Sequence, residues 1–144
     1  MRRIFSLISL LVILLPGILA TGCGASPLAN DVKMAPMDMM PQEVQSAPTT
    51  VREAYQFAVA NPDSLKNVPC YCGCAAIGHK SNYDCFVKNV DSSGKIVFDQ
   101  HALGCSLCVD ITQDVIRLSK EGKSPGDIRG FIVANYSRFG PPNQ

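Results

Sequence analysis

The sequence predicts a mainly α-helical domain of about three helices with an irregular, cysteine-rich loop region. Apolar residues recur at helical spacing in three segments, near residues 51–58, 105–121 and 128–135. Between residues 68 and 104 that period is lost, and glycines interrupt the chain at short intervals. A chain of 144 residues has room for one such domain and short flanking segments.

The first helix is expected to begin at Thr50, because Thr50 and Glu53 have the spacing of a capping box. Asn61, which precedes Pro62, should end this helix, and a short helical turn should follow. The residues predicted to form its apolar face are Val51, Ala54, Tyr55 and Ala58.

The second helix is expected from about Cys105 to Glu121, with Gly122 ending it. Ser124 and Pro125 then mark the start of the third helix as its N-cap and first residue. The predicted buried faces are Cys105, Cys108, Val109, Thr112, Val115 and Ile116 in the second helix, and Ile128, Phe131, Ile132 and Asn135 in the third. A brief strand at 95–98 should follow a turn at 91–94.

The amino end has the pattern of an export signal. Two arginines precede an uncharged apolar run from Ile4 to Ala20. The run ends in Leu-Ala-Thr-Gly-Cys at 19–23, which resembles the bacterial lipobox. The resemblance implies a signal peptide at 1–22, and Cys23 as the first residue after cleavage, carrying a lipid at the extracytoplasmic face of a bacterial cell membrane. An uncleaved membrane helix is the alternative, although a Pro-Gly pair interrupts the run.

Residues 23–49 are predicted to form a flexible stalk, since four prolines leave no helical or strand period. The folded domain is then expected at 50–144. The stalk contains Met34, Met37, Met39 and Met40. Because no core is expected in this segment, their thioethers are additional candidate ligands for copper(I).

The charge is nearly balanced, with 13 Lys and Arg against 12 Asp and Glu. No nucleic-acid partner is expected, because such binding needs clustered basic residues. The sequence contains no HExxH motif, so a zinc hydrolase of that type is not expected either. These observations favour a binding protein over an enzyme.

Three cysteines alternate with other residues in Pro-Cys-Tyr-Cys-Gly-Cys at 69–74. In an extended backbone, residues two apart point to the same side, so the sulfurs of Cys70, Cys72 and Cys74 should share one face. Gly73 lets the backbone fold inward, so that the thiolates can converge on one ion. Three convergent thiolates suit a soft monovalent ion such as copper(I).

A Cys-x-x-Cys pair opens the second helix, where the spacing places both sulfurs on one face. Cys85 and two further candidate ligands, His79 and His101, lie between the two motifs. Copper(I) is the expected cofactor, and zinc is the alternative. The predicted metal ligands are Cys70, Cys72, Cys74, Cys85, Cys105 and Cys108.

The hexapeptide at 69–74 resembles the motif that defines the PCYCGC family of bacterial lipoproteins. The residues at 78–81 and 84–86, His101, and those at 104–109 are similar to that family's downstream pattern. The resemblance covers about residues 55–136. It implies an envelope lipoprotein, and it brings no settled activity with it.

Other functions are open at this point. An envelope thiol–disulfide oxidoreductase would use Cys105 and Cys108, although no thioredoxin βαβ pattern accompanies them. A disulfide-stabilised or zinc-stabilised interaction module is the third possibility, since six cysteines in a small exported domain ordinarily suggest bridges. A bond within Cys-x-Cys would close a strained ring, which counts against simple pairing of neighbours.

A lipid-anchored copper protein would have the membrane surface as its first partner. A membrane cuproenzyme or a metal transporter is the expected protein partner, because a tethered donor or acceptor would meet it at that surface.

Overall fold

The longest helices form the centre of the fold. The computed structural model describes residues 31–144. Its helices are α1 (Gln42–Gln45), α2 (Thr49–Ala60), α3 (Pro62–Lys66), α4 (Ser106–Lys120) and α5 (Pro125–Tyr136). Helix α2 packs against α4, and α4 packs against α5. The mainly α fold class is confirmed, because the three helical periods of the sequence correspond to α2, α4 and α5.

The start of α2 differs from the prediction. Pro48 is the N-cap residue, no side chain caps the helix, and Thr50 already lies inside it. The predicted capping box of Thr50 and Glu53 is therefore wrong. The helix ends at Asn61 as predicted, and Pro62 begins α3 in the first-turn position where its missing N–H is not needed.

The ends of α4 and α5 follow the sequence signals closely. Gly122 has φ +74°, the left-handed conformation that commonly ends a helix. The Ser124 hydroxyl accepts a hydrogen bond from the Asp127 N–H at 3.2 Å, as an N-cap should. Asn135 does not lie on the buried face of α5 as predicted. It is exposed, and its amide bonds to the Phe131 carbonyl within the helix.

The segment before α2 packs on the domain, which corrects the predicted stalk for its last part. The backbone and side chain of Gln56 in α2 exchange hydrogen bonds with the backbone of Ala35. Ala35, Met40 and Val44 are buried in the core. Their spacing follows neither a helical nor a strand period, so no sequence pattern indicated that this segment is packed against the domain. The predicted signal peptide, Cys23 and the first part of the stalk lie outside the described residues.

A short antiparallel hairpin contacts α2 through the rings of Phe98 and Tyr55. Its strands are β1 (Val87–Val90) and β2 (Ile96–Phe98), with a bulge between Val87 and Asn89. The second strand and the turn before it were predicted, whereas β1 was not. The Asp91 carboxylate organises the turn by accepting hydrogen bonds from the Ser93 and Lys95 N–H groups.

Tyr55 joins α2 to the hairpin. Its ring meets the Phe86 ring edge-on with centroids 5.0 Å apart, and its hydroxyl donates to the Asp99 carbonyl at 2.7 Å. Asp99 follows β2 and precedes a 3₁₀ turn at His101–Leu103. This packing fixes the position of the loop that carries His101.

Within residues 31–144, none of the helices combines the length and the apolar character that crossing a membrane requires.

Candidate metal centre

The first cysteine motif lies in a loop after α3. Cys70 and Cys74 are buried and Cys72 is partly exposed. The sulfurs of Cys70 and Cys72 are 3.4 Å apart. Gly73 has φ +82°, a conformation that favours glycine, and it turns the chain into a 3₁₀ helix at Cys74–Ile77. The predicted inward fold at Gly73 is thus present in the structure.

The amino end of α4 brings the second motif to the first. Cys105 is the N-cap residue and Cys108 lies in the first turn, with their sulfurs 3.3 Å apart. The Cys108 sulfur is also 3.5 Å from that of Cys70 and 3.6 Å from that of Cys72. The two motifs, which lie far apart in the sequence, therefore form one cluster.

Cys85 completes the set of six. It lies at the end of a short 3₁₀ helix, Tyr83–Cys85, and is fully buried. Its sulfur is 3.8 Å from that of Cys74. All six cysteines of the described residues are free thiols.

The two histidines occupy different positions. His101 Nε2 is 3.3 Å from the Cys72 sulfur, so His101 belongs to the cluster. His79 contacts His101 edge-on with ring centroids 5.3 Å apart, and its Nε2 lies 3.5 Å from an Asp99 carboxylate oxygen. Among the described residues, His79 is therefore the neighbour of a ligand and is not grouped with the cysteine sulfurs.

The donor atoms form two groups that share one member. In each group, all four donor atoms lie within 4.8 Å of one another, close enough to surround a metal ion. The groups are Cys70, Cys72, Cys74 and Cys85, and Cys72, His101, Cys105 and Cys108. The first is an all-sulfur set and the second contains one imidazole. The cluster can therefore hold a metal ion, and its donors are soft.

The thiol protons are distributed unequally within the cluster. A hydrogen bond with Cys108, followed by one with Cys85, lowers the pKa of Cys70 to about 2. The hydrogen bond with Cys70 in turn raises the pKa of Cys108. Burial raises the pKa of Cys72 and of Cys74, and the charge on Cys70 adds to both shifts. These directions favour the thiolate at Cys70 over that at Cys72, Cys74 or Cys108, and a metal ion would displace the thiol protons that remain.

Asn143 holds the first motif in place, and sequence reasoning missed it. Its Oδ1 accepts from the Cys70 N–H at 2.7 Å, and its own N–H donates to the Cys70 carbonyl at 3.0 Å. Its Nδ2 donates to the Ser81 carbonyl and contacts the Cys74 sulfur at 3.4 Å. No spacing or motif in the sequence links Asn143 to residues 70–74, so no signal could have found it.

A buried hydrogen bond ties the cysteine loop to α4. Asn82 Nδ2 donates to the Thr112 hydroxyl at 2.7 Å, and that hydroxyl donates to the Cys108 carbonyl one turn earlier. The Asn82 N–H also donates to the Val68 carbonyl, just before the first motif. Asn82 and Thr112 are both fully buried. These bonds fix Cys108 relative to the loop.

The predicted methionine ligands differ in environment. Met40 is buried in the core, with 3% of its surface exposed, so the expectation that these thioethers have no core to fill is wrong for it. Met37 is partly buried against the same core, and Met34 and Met39 are exposed.

Comparison with known proteins adds one finding. The family described as "Protein of unknown function with PCYCGC motif" matches residues 19–144. The chain belongs to this family. The PCYCGC resemblance seen in the sequence is thereby confirmed over most of the chain. Searches among curated proteins and among solved structures found no significant match.

Proposed function

We propose that this PCYCGC-family protein is a lipoprotein, tethered to the extracytoplasmic face of the cell membrane, that binds copper(I) through its cysteine cluster. The observation that carries the proposal is the clustering of six free thiols and one imidazole, whose donor atoms lie within 4.8 Å of one another in each of two groups. Thiolates are the protein ligands that copper(I) prefers. The cluster lies in a protein with an amino-terminal pattern typical of export and lipid attachment.

Exposure of part of the cluster favours exchange over a purely structural role. Cys72, His101 and Cys105 are partly exposed, so one side of the cluster is accessible to a partner or a small chelator. A membrane cuproenzyme or a metal transporter, which would share the same surface, is the proposed donor or recipient.

Zinc is the second candidate, and a specific observation favours it. One donor group consists of four cysteines, and the other of three cysteines and a histidine. Both compositions occur in structural zinc sites. Copper(I) is preferred because sulfur supplies six of the seven donors and because three of the donor residues are partly exposed to solvent. The proposal does not depend on the methionines.

A competition experiment tests the choice of metal. The reduced, metal-free protein is mixed anaerobically with copper(I) held by a coloured chelator, and with zinc present in excess. We expect the protein to remove copper(I) from the chelator. Cys72→Ser should lose this ability, whereas Met39→Leu, a change at an exposed thioether outside the cluster, should keep it.

The other outcomes decide against copper. Binding of zinc in place of copper(I) throughout the competition would favour a zinc-stabilised module. Failure to remove copper(I) from even a weak chelator would overturn the proposed copper(I) binding. Rapid turnover of a disulfide substrate, lost in Cys105→Ser, would indicate the oxidoreductase alternative.

Lipid attachment is tested separately in cells. Labelling with a radioactive fatty acid should mark the protein, and Cys23→Ala should lose the label because the proposed attachment atom is gone. An equally labelled Cys23→Ala protein would contradict the lipoprotein proposal.

A further inference from the structure

The Cys72 sulfur lies at the junction of the two donor groups. It belongs to both sets of four, and it forms a triangle with the sulfurs of Cys70 and Cys108, whose sides measure 3.4 to 3.6 Å. Within the described part of the chain, no other residue is common to the two groups. Two complete sets of four donors therefore exist only if Cys72 serves in both.

A thiolate can serve in two sets because its sulfur has lone pairs for more than one metal bond. The two groups together contain seven donor atoms, whereas two four-coordinate ions require eight positions. If one sulfur binds both ions, seven donor atoms fill all eight coordination positions. We propose that the cluster binds two soft metal ions at once, bridged by the thiolate of Cys72. This rests on the proposed metal-binding function and specifies how many ions are bound and how they are joined.

The charge of the cluster supports two ions. Cys70, Cys74, Cys85 and Cys108 are buried. Buried thiolates without a nearby cation are strongly disfavoured, because burial removes the water that stabilises their charge. One ion in one group would leave the buried thiols of the other group protonated and unbound, although their sulfurs lie only 3.5 to 3.6 Å from those of the bound group. A second ion allows both groups to bind as thiolates.

The two positions differ in access. The inner position is formed by three buried cysteines together with Cys72. The outer position contains the partly exposed His101 and Cys105, and a surface groove of about 320 Å³ lies directly beside Cys105. The ion at the outer position should therefore leave first when a chelator is added, and the inner ion should stay.

Cadmium-113 is the probe that reports bridging directly, since it is a soft ion with a nuclear spin. The reduced full-length protein is loaded with isotopically enriched cadmium(II), and its bound ions are counted by native mass spectrometry. We expect two ions per chain and two cadmium resonances, split by coupling between the two nuclei. The β-protons of Cys72 should correlate with both resonances, and those of Cys85 and Cys105 with one each.

Variants assign the two positions. Cys85→Ser should lose the inner resonance and keep the outer one, and Cys105→Ser should do the reverse. Ser106→Ala, a change next to Cys105 that removes no donor of either group, should keep both. The wild-type coupling needs no variant, so a variant that fails to fold leaves the decisive measurement intact.

The outcomes separate this inference from the proposed function. A single bound ion, or two resonances without mutual coupling, would overturn the bridged pair while leaving metal binding in place. No bound cadmium would overturn both. Two bridged cadmium ions in a protein that does not take copper(I) from a chelator would support the bridge and overturn the copper function.

Discussion

Asn143 shows how a residue outside every motif can control the cluster. Its side chain and backbone form two hydrogen bonds with Cys70, and the same side chain reaches Ser81 and the Cys74 sulfur. One amide therefore fixes both ends of the first cysteine motif. A thiol that is held in position loses less conformational freedom on binding a metal ion.

Asn143→Ala should weaken metal binding and lower the free energy of unfolding by about 1–3 kcal/mol, because the Cys70 N–H loses its partner in a partly buried setting. The measurements are copper(I) affinity and urea unfolding of the metal-free protein. Asn135→Ala is the matched control, since that exposed amide bonds only within α5. Unchanged affinity in Asn143→Ala would show that the loop holds its shape without this amide.

At the scale of single residues, the sequence predicted the candidate metal ligands and missed the residues that hold them in place. The cysteines were evident from their types and spacing. Position between the two motifs singled out His79 and His101 alike, and of these two His101 contacts a cysteine sulfur. Asn143, Asn82 and Asp99 act through contacts between distant parts of the chain. Such contacts depend on the tertiary fold, so no local sequence pattern predicts them.

At the scale of elements, α4 is both part of the core and the support of the second cysteine motif. Its buried face includes Cys108 and Thr112, which are one turn apart. Because Asn82 bonds to Thr112, the orientation of α4 is coupled to the loop that carries the first motif. Packing of α2 against α4 therefore also determines the geometry of the cluster.

Thr112→Val keeps the shape of the side chain and removes its hydroxyl. We expect the metal-free protein to lose about 1–3 kcal/mol of unfolding free energy, because the buried Asn82 amide would have no acceptor. Thermal and urea unfolding would measure the change. Thr112→Ser retains the hydroxyl and is the control for the methyl group, and unchanged stability in Thr112→Val would show that this hydrogen bond does not stabilise the fold.

The elements that were predicted well have strong local signals. The face of α4, the Gly122 end and the Ser124 cap all follow from residue type and spacing. The segment at 35–49 and β1 were missed because neither has a clear period, and both are stabilised by contacts with α2 or β2 rather than by their own sequence. The capping-box error arose because Pro48 starts α2 earlier than Thr50 would.

For the whole molecule, the cluster connects parts of the chain that are far apart in sequence. It joins the loop at 70–74, the turn at Cys85, the loop at His101 and the amino end of α4. An unfolded chain has no such arrangement of donors. Metal binding should therefore stabilise the fold as a whole, by about 4 kcal/mol when free metal is about 1,000-fold above Kd.

Cys72→Ser should lose most of this metal-dependent stabilisation, because its sulfur belongs to both donor groups, whereas Cys108→Ser should lose the part contributed by the outer ion. The double variant should lose little more than Cys72→Ser alone, since residues of one network do not act additively. Melting curves with and without copper(I) for the three proteins measure the effect, and the metal-free curves serve as the control. Fully additive losses would mean independent sites.

The short distances among the six sulfurs make the metal-free cluster prone to forming disulfides. Each thiol lies within 3.3 to 3.8 Å of at least one other, and Cys70, Cys72 and Cys108 each have two or more sulfur neighbours. A metal-free cluster in an oxidising compartment can therefore crosslink in several mutually exclusive ways, each of which removes donors that the other pairings and the metal need. In an exported metal-binding protein, as proposed above, metal loading would compete with oxidation of the thiols. A protein built this way works only where metal arrives faster than oxidant, or where a reductant restores the thiols afterwards.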